Sequence, residues 1–124
     1  MIRYERAYDI QRKTELIAKR LGFHWIDTSR VVCIRSRGSR SRRTLARCHA
    51  LSKIMQASLG VKAHYVIEVI SERFDRLSPE EQTKTIIHEL MHIPHTMGGG
   101  FRHHTPYVNR RTVDMMYKRL LDTI

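Results

Sequence analysis

The chain has 124 residues, with 23 lysines and arginines against 12 acids and a formal charge of +11. That length corresponds to one domain, residues 1–124, with a modest core and little room for a separate substrate domain. The mixed, charged start Met1-Ile2-Arg3-Tyr4-Glu5-Arg6 lacks the apolar segment of a signal peptide, and no apolar run is long enough to span a bilayer. The expected location is therefore cytoplasmic, without membrane contact.

Residues 3–21 carry a helical stripe of Tyr4, Ala7, Tyr8, Leu16, Ile17 and Leu21, ended by Gly22. Phe23 to Ser29 is a connection holding the only tryptophan, Trp25. Segments 31–37 and 44–50 are expected to form a hairpin closing around Gly38 to Arg43. In that register Cys33 stands opposite Cys48, which makes a cross-strand disulfide conceivable. The default in a cytoplasmic protein is two reduced thiols. Arg35, Arg37, Arg40, Arg42, Arg43 and Arg47 crowd this hairpin. A finger of this kind suits the phosphate backbone of DNA or RNA, although no aromatic residue is interleaved for base stacking. The bland alternative is a solvated loop that keeps the protein dispersed.

Residues 50–59 predict a short helix with Gly60 as its C-cap. His64-Tyr65-Val66-Ile67-Glu68-Val69-Ile70 is the best strand, with burial implied on both faces except at Glu68. Ser78-Pro79-Glu80-Glu81 then reads as a helix start: an N-cap serine, proline in the first turn, acids against the helix dipole, and capping-box spacing from Ser78 to Glu81. The helix is expected over 79–93, stopped by Pro94. A last helix is expected over 105–121.

The motif with chemical content is His88-Glu89-Leu90-Met91-His92. On a helix, histidines at i and i+4 leave the same face one turn apart and can grip one tetrahedral zinc ion. Glu89 sits about 100° around, placed to reach a water without binding the metal. A catalytic zinc site needs a third protein ligand and an open fourth position. After Pro94 the chain runs through Gly98-Gly99-Gly100, which lets the backbone double back, and delivers His103-His104. Either imidazole can complete the set. His95 ranks lower because of Pro94, and its presence where metzincins need glycine excludes that class. Asp114, His64 and Glu68 are weaker candidates, each more simply read as a structural or solvated residue.

The runs Ile87-His88-Glu89-Leu90-Met91-His92-Ile93-Pro94 and Gly99-Gly100-Phe101-Arg102-His103-His104 resemble a phage and archaeal metallopeptidase family, small relatives of the SprT-like zincins. Its pattern is IHELLHIP, a short variable stretch, then GGLRPH. Tyr65 to Ile70, Phe74 to Ser78 and Cys33 to Gly38 with the following arginines also resemble it. Aligning Arg102 with the family's arginine puts the final histidine at His104, with His103 where proline usually stands. The resemblance implies an α+β, minimal zincin-like domain: a small antiparallel or mixed sheet, an HExxH helix, and flanking N- and C-terminal helices. It implies Zn2+ on His88, His92 and His104, Glu89 as general base, and a peptide or protein substrate, with nucleic-acid-associated proteins among the options. It also suggests that the strand 64–70 lines the cleft and pairs with bound peptide. The competing reading is a basic nucleic-acid-binding module whose zinc is structural or silent. Arg102, Tyr107 and the spare loop histidine are the candidates for oxyanion stabilisation.

Overall fold

A computed structural model describes residues 1–124 as four strands and five α-helices. Strand β1 is Arg3–Arg6 and helix α1 is Tyr8–Arg20. The expected helix over 3–21 thus begins five residues late. Its first residues instead pair antiparallel with β2, Val31–Arg37, from Arg3 opposite Arg37 to Arg6 opposite Ile34. All four residues of β1 are exposed, so no apolar period announces the strand. An ion pair from Arg37 Nε to Glu5 Oε1 at 2.8 Å supports the pairing.

The expected hairpin does not form. Strand β3, Ala46–Ala50, is separated from β2 by β4, Tyr65–Ile70, in the order β1-β2-β4-β3. β2 and β4 run parallel, and β3 and β4 antiparallel. The apolar run of β4 needs a neighbour on each edge, and the centre of the sheet supplies both. Cys33 and Cys48 both stand opposite Ile67, on its two sides. Two strand spacings, about 10 Å, exceed the Cα separation a disulfide tolerates, and both thiols are free. β4 has no open edge, so the expectation that it pairs with bound peptide is also overturned; β3 is the edge strand on that side.

Between β3 and β4 lies α2, Lys53–Leu59, capped by Ser52 and closed by Gly60 at φ +66°. After β4 come α3, Ser71–Phe74, and α4, Pro79–Met91. The hydroxyl oxygen of Ser78 accepts the Glu81 N–H at 3.2 Å, the cap the sequence predicts. The last helix, α5, is Arg110–Leu121 and not 105–121, because Asn109 and Thr112 form a capping box that starts it.

Helices α1 and α4 cover one sheet face, and α5 packs against α4. Ile10, Ile17, Ile86, Ile87, Leu90 and Val113 pack there with Val31, Cys33, Tyr65, Ile67 and Val69. By strand alternation Glu68, Arg47 and His49 share the opposite face, where the Glu68 carboxylate accepts from His49 Nε2 at 2.8 Å. No helix is long and apolar enough to cross a membrane.

Candidate metal centre

His88 and Glu89 lie in the last turn and a half of α4, and His92 caps its C-terminus at φ −71°, ψ −19°. Beyond Pro94 the chain turns back and makes a reciprocal tie. The Arg102 N–H donates to the His92 carbonyl, and His92 Nδ1 lies 2.8 Å from the Arg102 carbonyl. A carbonyl can only accept, so Nδ1 carries the proton and Nε2 keeps its lone pair for the cavity. His88 Nε2 lies 3.2 Å from that nitrogen. His104 closes the group: ligand atoms of His88, His92 and His104 all lie within 4.8 Å of one another.

The His88–His92 pair has the spacing of two ligands on one tetrahedral ion, with the third imidazole within 4.8 Å. Nitrogens about 2.0–2.1 Å from zinc sit about 3.3 Å apart along a tetrahedron edge, close to the 3.2 Å between His88 and His92. The three rings come from a helix, its cap and a returning loop, so one side of the group stays open. It opens into a cavity of about 410 Å³ lined also by Ala46, Cys48, Glu89, Phe101, Arg102 and His103. His103 shares that cavity but does not belong to the converging set. His95 stacks on Trp25, ring centres 4.1 Å apart, and His64 bonds through Nδ1 to the Lys62 carbonyl. Asp114 is held by Lys84 Nζ at 3.3 Å, and Glu68 belongs to the far sheet face.

Burial shifts the protonation of His88, Glu89 and His92. His88 is pushed down to about 4 by desolvation and by the neighbouring His92 and His104, so it stays neutral and able to donate a lone pair. His92 is lowered by the same burial. Glu89 is only 5% exposed and its carboxyl has no ion pair or hydrogen bond with the protein; burial raises that carboxyl to about 7. A carboxyl poised there can both take and return a proton near neutral pH.

Two supports are not evident from the motif. The buried Tyr65 hydroxyl accepts the Gly99 N–H at 2.9 Å and donates to the Gly100 carbonyl at 2.8 Å. Gln56 Nε2 reaches the Gly98 carbonyl at 3.4 Å. They pin the glycine turn, with Gly99 at φ +111°, that carries His104 back. The only signal for Tyr65 is a hydroxyl at the head of a strand that is apolar but for Glu68. Arg102 and His103 border the cavity; Tyr107 does not, and instead lies under the Arg102 guanidinium at 4.7 Å.

The sequence matches, over residues 2–122, the family described as "Putative phage metallopeptidase". The chain belongs to that family. The membership supports a metal-dependent peptidase acting on peptide or protein, in keeping with three histidines able to bind one metal ion. No curated protein matches the chain, and no solved structure matches it.

Proposed function

We propose that the protein is a zinc-dependent peptidase in which His88, His92 and His104 hold the ion and Glu89 is the general base. The convergence of three imidazoles beside a buried, unpaired carboxyl carries this reading. An imidazole set of this size suits zinc. A zinc ion bound there supplies Lewis-acid polarisation of a carbonyl and acidifies water. Glu89 takes the proton of the attacking water as the new C–O bond forms. It then passes that proton to the amine as the C–N bond breaks. His92 is oriented through its Nδ1–H bond to Arg102, the kind of outer support that fixes a ligand's tautomer. Arg102 and His103, on the cavity wall, are the groups available to stabilise oxyanion charge. β3, with Ala46 and Cys48 on the same wall and one edge unpaired, is the backbone along which an extended peptide can lie.

The test is Glu89→Gln. Zinc content should stay near one per chain while cleavage of an unstructured protein substrate falls by roughly 10²–10⁴. Cleavage at the wild-type rate would remove Glu89 from its role.

A second reading, contact with DNA or RNA, is favoured by one observation. Arg40, Arg42 and Arg43 enter no ion pair, whereas Arg35 is tied to Asp9 and Asp75, Arg37 to Glu5, and Arg47 to Glu68. Three of the six arginines are thus free for phosphate. This contact can coexist with peptidase activity or, with a silent zinc site, replace it.

A further inference from the structure

The metal-centre cavity opens into two unlike grooves. On one side it shares Phe101, Arg102 and His103 with a groove that continues over Pro94, His95 and Tyr107. That side is aromatic, and its one arginine stacks on Tyr107. On the other side it shares Ala46, His88 and Glu89 with a groove of about 560 Å³ between the start of β3, α4 and the start of α5. Three cations line this second groove: Arg43 from the loop before β3, Lys84 from α4, and Arg110 from the first turn of α5.

Their partners decide what the groove can bind. Lys84 and Asp114 satisfy each other at 3.3 Å. Arg43 and Arg110 enter no ion pair. The remaining carboxylates on the wall are Glu81, in the first turn of α4, where the positive end of the helix dipole engages its charge, and Glu89, buried at the metal centre; neither is ion-paired to an arginine. Two guanidinium groups from separate elements therefore face one groove with no carboxylate of their own. A guanidinium fork matches a carboxylate better than any other side chain.

We propose that this groove is a subsite for an aspartate or glutamate side chain of the peptide substrate, recognised by Arg43 and Arg110 on the α5 side of the metal centre. The proposal rests on the peptidase reading. It adds that the enzyme selects acidic sequence on one side of the scissile bond only, since the opposite groove is aromatic.

Two measurements separate the proposal from the reading beneath it. The first is fluorescence anisotropy of zinc-loaded Glu89→Gln protein with labelled decapeptides that differ only by Glu or Gln at the central positions. The Glu peptide should bind roughly three- to tenfold tighter. That preference should vanish in Arg43→Glu and Arg110→Glu backgrounds and persist in the charge-matched control Arg20→Glu. Equal binding of both peptides overturns the subsite. A single-stranded oligonucleotide that binds tighter than the Glu peptide, with the same dependence on Arg43 and Arg110, also overturns it, because the groove is then a phosphate track. The second is mass-spectrometric mapping of cuts made by the wild type in a mixed peptide library. Acidic residues should be enriched at one position on one side of the cut, and the Arg43→Glu and Arg110→Glu variants should shift that position towards lysine and arginine. Cuts with no such enrichment refute the subsite and leave the peptidase intact. No cuts at all refute the peptidase, while the anisotropy result still decides whether the groove prefers carboxylates.

Discussion

Glu89 combines deep burial with the absence of any polar partner, so its charged form is costly in the metal-free protein. Its carboxyl sits at about 7 in the fold against 4.5 ordinarily. A raised carboxyl favours the folded state fully below pH 4.5, and that contribution is lost as pH rises through 7. Glutamine mimics the neutral acid at every pH. In chelator-treated protein, urea unfolding should therefore find the wild type and Glu89→Gln similar at pH 4.5. At pH 8 the variant should be more stable by up to about 3 kcal/mol. A difference that does not change between those pH values would mean that Glu89 is not desolvated. His88 moves the other way: lowered to about 4, it costs stability only as pH falls below the ordinary histidine range. At this scale the sequence was informative for His88 and His92, whose i, i+4 spacing puts them on one side of a helix, and for Glu89, about 100° around from them. It left His103 and His104 open, since adjacent loop residues have no period to separate them; the converging set contains His104.

The elements that bring these residues together differ in how visible they were. α4 and β4 were legible because each carries its own signal: a serine cap and proline for the helix, a β-branched run for the strand. β1 was not, because its four residues are exposed and its only support is its partner. The hairpin expectation failed because symmetry about Gly38 to Arg43 says nothing of a later strand entering between the two arms. The brace on the glycine turn is likewise a long-range feature, joining Tyr65 to Gly99 and Gly100. Removing that hydroxyl takes away the partner of the half-buried Gly99 N–H and of the Gly100 carbonyl, at about 1 kcal/mol for each lost hydrogen bond. Tyr65→Phe should weaken zinc binding about tenfold or more in a chelator competition, with near-native helix content by circular dichroism. Unchanged affinity would show that the loop holds His104 in place without β4.

Across the whole molecule the charge of +11 is unevenly free. Arg35 bridges α1 and the turn after α3 through Asp9 and Asp75, both at 3.0 Å, and so serves the fold. Arg40, Arg42 and Arg43 do not. If they contact phosphate, changing all three to Gln should flatten the log–log salt dependence of single-stranded DNA binding by about 2, at roughly 0.7 per phosphate. Arg37→Gln, at an ion-paired arginine, should leave the slope alone. A slope indifferent to the triple change would assign these arginines to solvent. In the proposed centre a helix, its cap and a braced return loop act as a unit, presenting three imidazoles to one ion with a coordination position left for water. X-ray absorption at the zinc edge of the loaded protein tests it most directly. The expected spectrum has three imidazole nitrogens and one oxygen at about 2.0–2.1 Å. A fourth protein ligand, whether Cys48 sulfur or a further histidine, or failure to take up zinc near one per chain, would contradict it.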